Sequence, residues 1–288
     1  RVVHLQPMEW TEDGWPVIGE DKDGDGVGEP VRKYRKPDLA SSGVFQPAES
    51  DEFNGNELGL QWQWHGVPSP YWYYTAPGKL RLYSVDQAEG WKNLGDTPNL
   101  LLQKTPADRF TATARISFVP NPQLKEKGEE CGLVLMGQDY AAIRLSDTPE
   151  GVKLQYLECR NALKGREEEV LYETIMESEV LPVPYSSKYM SVTVPPVAPA
   201  AYTSTDVYVR LKVAPRERKG NVPDLTATFW YSIDGKKWTQ LMPADQSGHT
   251  FTAEPGKWIG AKFGFFCNRF APKNDSGWME IDWIRVEE

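Results

Sequence analysis

Three cysteines in 288 residues, Cys131, Cys159 and Cys267, are too few and too far apart for a structural zinc site, which needs ligands paired at short spacing. An odd count also excludes a framework in which every thiol is paired, so these residues read as small buried hydrophobes. Histidine is equally scarce. His4, His65 and His249 are the whole supply, no serine sits in a nucleophile elbow, and a Ser-His-Asp triad has no support. No apolar run reaches the ~18–20 residues of a membrane span, and no basic segment followed by an apolar stretch opens the chain. Basic charge is also short, with 32 Lys and Arg against 41 Asp and Glu for a formal net charge of -9. That balance argues against a nucleic-acid partner, which needs a cationic stripe to neutralise phosphates, and against an anionic membrane surface.

What the chain has instead is aromatics and turn formers: 11 Trp, 13 Tyr and 10 Phe among 24 Gly and 23 Pro. Short strands joined by punctuated turns have this profile. Apolar residues recur with period two in Leu80–Val85, Phe110–Val119, Cys131–Met136, Ala141–Leu145, Val152–Leu157, Val207–Val213, Leu225–Ile233 and Ile259–Phe266. Half-buried antiparallel strands alternate in this way. Without a convincing amphipathic helix, the pattern predicts an all-β, two-sheet sandwich. Residues 160–172, rich in Glu, Arg and Leu, read as a charged loop, and the five prolines of Pro182–Ala201 exclude a central strand there.

The first segments look like the middle of a domain. Arg1–Trp10 reads as a strand, Asp13-Gly14 as a turn, and Trp15–Gly19 as the return strand of a hairpin. An isolated hairpin is marginal in water, so a preceding part of the fold is expected. Asp21, Asp23, Asp25 and Gly26 follow the opening pattern of a calcium loop. The twelfth position is Arg32 rather than a bidentate Glu, which favours a solvated acidic turn.

The sequence offers no catalytic carboxylate pair. Glu9, Glu12, Asp13 and Glu20 cluster at the hairpin turn and exit, where acids are usually just solvated. Trp62-Gln-Trp64-His65 and Tyr71-Trp-Tyr-Tyr74 flank a Pro-containing turn and read either as sandwich core or as a sugar-stacking platform. Glu52, near the start of the sandwich, and Asp282, in its last strand, would be neighbours if the ends of the domain meet. Such oxygen ligands suit calcium, though both also read as ordinary strand-end acids.

Taken in order, these strings resemble the C-terminal part of a glycoside hydrolase family 43 enzyme of the β-xylosidase or α-L-arabinofuranosidase type. Arg1-Val-Val-His-Leu-Gln-Pro-Met with Gly14-Trp-Pro-Val-Ile-Gly resembles the last propeller segment. Ser50-Asp-Glu-Phe-Asn-Gly55, Trp62-Gln-Trp64, Asn99–Lys104, Cys131–Tyr140, Tyr231–Gly235 and Trp258–Phe266 resemble the sandwich. The resemblance implies a concanavalin A-like two-sheet β-sandwich preceded by a remnant of a five-bladed β-propeller. On that basis residues 1–37 would be the last propeller strands, 38–48 a linker and 49–288 the sandwich.

The same resemblance implies inverting, exo-acting hydrolysis that removes xylose or arabinofuranose from plant hemicellulose, with xylo- or arabino-oligosaccharides as ligands. Its catalytic Asp and Glu residues belong to propeller segments upstream of Arg1, so this chain alone would be catalytically silent. Arg1 matches a sugar-binding arginine, whose fixed fork of donors suits paired hydroxyls. Trp258 matches an aromatic that covers the active-site mouth, or else is a core residue. Glu52 and Asp282 match the ligands of a structural calcium. The expected partner is the missing N-terminal propeller, as one chain or two, and the expected location is secreted or periplasmic, with the signal outside this chain. A stand-alone carbohydrate-binding module and a purely structural accessory domain are the alternatives.

Overall fold

The structure, a computed structural model, describes residues 4–36, 38, 40, 49–122, 128–181, 201–216, 224–254, 260–270 and 276–288. The chain divides into two compact units, residues 1–46 and 47–288.

In the first unit β1 (Met8–Trp10) and β2 (Pro16–Ile18) form an antiparallel hairpin with Met8 opposite Ile18. Its turn closes as the Asp-Gly signal predicts: the Thr11 N–H donates to the Trp15 carbonyl at 2.9 Å, and Gly14 takes a φ of +83°. The acidic loop after it is pinned by the Glu20–Glu29 bridge. Leu5, Trp10, Trp15 and Ile18 are all exposed, so this unit buries little of its own apolar surface.

The second unit begins with β3 (Gln63–Trp64), β4 (Tyr73–Ala76), β5 (Lys79–Tyr83), β6 (Val85–Asp86), β7 (Leu101–Lys104) and β8 (Phe110–Val119). Next come β9 (Glu130–Met136), β10 (Tyr140–Thr148), β11 (Gly151–Cys159), β12 (Glu169–Ile175) and β13 (Glu179–Val180). Completing it are β14 (Thr203–Arg216), β15 (Asp224–Ser232), β16 (Thr239–Leu241), β17 (Phe251–Thr252), β18 (Lys262–Arg269) and β19 (Trp278–Glu287). One sheet has eight strands, ordered β12-β11-β10-β9-β18-β7-β3 with β6 parallel to β18. The other has nine, ordered β16-β15-β14-β8-β19-β5-β4, with β13 on β14 and β17 on β15. This is the two-sheet sandwich expected from the period-two pattern.

Strand chemistry reports how each sheet is covered. β8 alternates, with Phe110, Ala112, Ala114, Ile116 and Phe118 buried in the shared core and the residues between them half-exposed. β9 is buried at every position and reads as a continuous run, the signature of a strand covered on both faces. Its Cys131, Leu133 and Leu135 meet the inter-sheet core, whereas Val134 and Met136 belong to a second cluster with Leu94, Leu100, Tyr140, Leu157, Ala162 and Phe266. The segment around Leu94 and the short helical turn Ala162–Lys164 therefore cover the outer face of the eight-stranded sheet. Cys131, Cys159 and Cys267 are free and buried, as expected for small hydrophobes.

One expectation needs correction. Residues 160–172 are not wholly a charged loop, because β12 starts at Glu169 and pairs with β11. It is an edge strand with a bulge at Leu171, opposite Tyr156 and Leu157 of β11, and its short apolar alternation is masked by the glutamates around it. The proline-rich residues 182–200 lie outside the described residues.

A buried carboxylate with no cationic partner among the described residues ties the start of β19 to the β5 and β8 ends. Glu129 accepts from the Ser84 hydroxyl, from the Gly277 N–H at 2.6 Å and from the Asn121 N–H at 2.5 Å. Position 277 has to be glycine, since a Cβ there would lie 2.1 Å from the Glu129 Oε2. Glu129→Ala removes the shared acceptor of three buried donors, each worth ~1–3 kcal/mol when stranded. Urea unfolding should show a loss of about 3 kcal/mol or more relative to the unsubstituted chain, and an unchanged midpoint would refute the assignment.

Candidate functional site

Arg1 and Trp258, the two expected sugar-contacting residues, lie outside the described residues. The chain on the near side of Trp258 is anchored. The Gln138 N–H donates to the Glu254 carbonyl at 2.7 Å, and Arg160 donates to the Thr252 carbonyl at 3.1 Å. Arg160 itself is fixed by Glu158 at 2.8 Å and lies 4.5 Å over the Phe251 ring.

The ends of the sandwich do meet, through a bridge between Asp51 and Ile284. Glu52 and Asp282 are nonetheless engaged elsewhere. Glu52 accepts from Arg285 Nε at 2.8 Å and Nη2 at 3.2 Å, and these bonds hold its carboxyl below the usual range. Asp282 accepts from Arg115 Nη1 at 2.5 Å, and Arg115 reaches on to Asp206 at 3.2 Å. An oxygen-only calcium set cannot keep a guanidinium on each carboxylate, so these residues as arranged do not fit the ion.

Sequence reasoning passed over the neighbouring acid that organises this corner. Asp51 Oδ1 accepts from the Phe53 N–H at 2.8 Å, and Oδ2 accepts from Gln61 at 3.1 Å and from the Trp62 indole at 2.9 Å. Phe53, held at a φ of 49°, then stacks on Trp62, which packs against Phe265. The signal was an Asp two residues before a Phe in a turn, with a Trp about one turn-and-strand later.

The aromatic run divides between the two readings. Trp62 is core, Trp64 and Tyr73 are half-buried against it, and Tyr71 and Tyr74 are exposed. In the first unit the carboxylates of Asp21, Asp23 and Asp25 gather within 4.8 Å. Both oxygens of Asp21 already accept backbone N–H groups, from Gly24 and Gly26, as in a self-satisfied acidic turn.

The densest polar chemistry lies under the segments that cover the eight-stranded sheet. Arg144 Nη1 donates to Glu168 at 2.6 Å and to Glu130 at 3.1 Å. The Tyr140 hydroxyl donates to Glu168 at 2.5 Å and accepts from the Leu94 N–H at 2.9 Å. Asn268 links Glu130 to an amide chain with Gln87 and Asn99. Burial pushes Glu130 up to about 7, with the Glu168 charge adding to the rise and Arg144 opposing it. Burial, reinforced by Glu129, also pushes Asp147 up to about 6. Glu130 and Glu168 have side chains only 6% and 9% exposed, so neither can reach a polysaccharide. They are structural acids rather than a glycosidase pair.

Comparison with known proteins gives a consistent picture. Residues 50–287 match the family model described as the β-xylosidase C-terminal concanavalin A-like domain. A β-xylosidase of Formosa agariphila is 29% identical over 287 residues, covering 98% of this chain and 42% of that protein. The non-reducing end α-L-arabinofuranosidase BoGH43B of Bacteroides ovatus is 32% identical over 141 residues, 48% of this chain and 24% of that protein. Among solved structures, the GH43 protein BlXynB of Bacillus licheniformis superposes with a TM-score of 0.57 at 21% identity, covering 98% of this chain and 46% of that one. At that identity the likeness speaks for the fold. The chain spans less than half the length of each of these relatives.

The raised acids fix the sign of the pH dependence. Glu130 and Asp147 hold their protons more tightly folded than unfolded, so stability falls as pH rises from their ordinary carboxylate values to about 7 and about 6. Glu52 and Glu280, held low by their cationic partners, lose their contribution as pH falls through the acid range. Thermal melts should therefore give a higher Tm near pH 5 than at pH 8, and Glu130→Gln should flatten the slope above pH 6. A Tm that climbs between pH 5 and 8 would contradict this. Separately, EDTA should leave the Tm unchanged, since guanidinium groups occupy the expected calcium ligands; a drop of several degrees would reinstate the ion.

Proposed function

Because the chain belongs to the family of β-xylosidase C-terminal concanavalin A-like domains, we propose that it is the C-terminal portion of an inverting, exo-acting family 43 glycoside hydrolase that trims xylose or arabinofuranose from hemicellulose. The observation that carries this reading is the pairing of a closed sandwich with an open hairpin unit. In the sandwich, the outer face of the eight-stranded sheet is filled by the chain's own residues, and the acids beneath that cover are buried. In the hairpin unit, Trp10, Trp15 and Ile18 are exposed although a two-stranded hairpin needs packing partners to persist. A propeller supplying the remaining strands would cover those side chains and bring the catalytic Asp and Glu residues. Arg1 would then bind the sugar hydroxyls, and Trp258 would lie over the mouth of that site. The relatives' names, a β-xylosidase and an α-L-arabinofuranosidase, support the two sugar classes without choosing between them. A polymeric plant substrate favours a secreted or periplasmic protein.

The stand-alone carbohydrate-binding reading keeps Tyr71 and Tyr74 as an exposed pair but loses Trp62, its intended centre, to the core. Chromogenic xyloside and arabinofuranoside assays test the favoured reading. The 288-residue chain alone should show no turnover, and the chain joined to a family 43 propeller segment should show it with inversion at the anomeric carbon. Hydrolysis by the chain alone would overturn the proposal, as would an inactive joined enzyme whose propeller is correctly folded.

A further inference from the structure

The nine-stranded sheet packs one face on the core, and its outward side chains fall into rows across the strands. On the part built by β5 and β19 the charges cancel locally. Lys79 and Arg81 bind Glu280, Arg115 binds Asp282 and Asp206, and Arg285 binds Glu52. On the part built by β14, β15 and β16 they do not. Arg210 stands opposite Trp230, and Trp230 stands opposite Gln240. Among the described residues neither Arg210 nor Lys212 forms a salt bridge, and the nearest acid felt by Arg210 is Glu287, through space rather than in an ion pair.

These two cations are held by aromatic rings. The Arg210 guanidinium lies 3.6 Å from the Trp238 ring centroid, and the Lys212 ammonium lies 4.8 Å from that of Trp230. Stacking fixes the plane of a guanidinium and leaves its edge donors pointing outward. Arg210 uses Nε on Thr113 at 2.9 Å, and its terminal nitrogens have no partner among the described residues. The turn next to Trp238 adds exposed Lys236 and Lys237. Its one acid, Asp234, is occupied by the N–H groups of those lysines and by the Ser232 hydroxyl. Beside the stacked cations lies a hollow of about 500 Å³ whose lining includes Thr111, Lys212, Thr226, Thr228 and the two acids Glu287 and Glu288. Hydroxyls and acids of this kind suit the hydroxyls of a sugar, while the carboxylate of a uronate would lie on the Arg210 side.

We infer that this part of the sheet face is a docking surface for a uronate-bearing polysaccharide. The charge supports that occupant, because Arg210, Lys212, Lys236 and Lys237 bring four cations to this face against Asp234, Glu287 and Glu288, an excess of positive charge on a chain whose net charge is -9. The chemistry supports it as well. A stacked guanidinium presents the donor fork that a carboxylate accepts, and the threonine-lined hollow offers partners to the sugar ring beside it. The rings contribute by holding the cations, so a neutral sugar that needed a bare indole face would meet a charged group first. The site lies wholly in residues 47–288 and does not depend on the catalytic reading above.

Affinity electrophoresis of the 288-residue chain tests this, with glucuronic-acid-substituted xylan, the same xylan after carboxyl reduction, and poly-glutamate in the gel. Retardation is expected in the acidic xylan alone, weakening as salt is raised. Arg210→Gln with Lys212→Gln should lower the affinity by about tenfold or more, whereas Lys164→Gln, on a different surface, should match the unsubstituted chain. If the double variant melts early, Lys212→Gln carries the same test, since its ammonium makes no hydrogen bond to the described residues. Three results would overturn the inference: no retardation in acidic xylan, equal retardation in carboxyl-reduced xylan or poly-glutamate, or an affinity unchanged in the Arg210 and Lys212 variants. A shift of oligomeric state in those variants, seen by light scattering, would assign the surface to self-association instead.

Discussion

Arg144 lies buried between Glu130 and Glu168, and this ion cluster ties the Arg160–Glu168 segment to the outer face of the eight-stranded sheet. Asn93 completes the tie from the other side, donating to the Ala162 carbonyl at 3.1 Å and the Arg166 carbonyl at 2.7 Å. Buried charge of this kind is costly unless paired. One guanidinium facing two carboxylates is balanced when one of them keeps its proton, and Glu130, the deeper of the two, is the one whose proton burial retains. Under that frame Leu94, Leu100, Tyr140 and Phe266 exclude water and the sheet becomes a three-layered core.

The two sheets consequently have different prospects. The eight-stranded sheet is covered on both faces at its central strands β9 and β18, so there the surface that an open sandwich would offer to a glycan is occupied by the chain itself. Among the described residues, the outer face of the nine-stranded sheet carries ion pairs on one part and ring-supported cations on the other. A rigid, closed scaffold suits support of a catalytic partner. The proposed docking face lies on the other sheet, so the two proposed roles use opposite sides of the sandwich.

Much of this was legible in the residues. Period-two alternation located β8, β14 and β15, since one-sided burial forces that spacing; Cys131–Met136 was read with the same period, whereas β9 is buried at every position. The meeting of the Ser50–Gly55 motif with the last strand was also readable. What was not legible was which side chain, or which edge strand, would face which partner. β12 was hidden because an edge strand needs only a short apolar stripe, and its glutamates outweighed it. That Arg285 and Arg115 face Glu52 and Asp282 was not legible either, because nothing in a linear sequence says which arginine will face which acid. Asp51, hidden beside Glu52, turned out to hold the Phe53 turn and the Trp62 indole.

Hydrogen exchange followed by mass spectrometry tests the closed sheet most directly. If the Arg144 cluster and Asn93 hold residues 91–100 in place, the backbone of that segment should exchange as slowly as β9 and β10 and should lose protection with them as denaturant is raised. Complete exchange of residues 91–100 within seconds, while β9 and β10 stay protected, would show an open outer face and contradict the account.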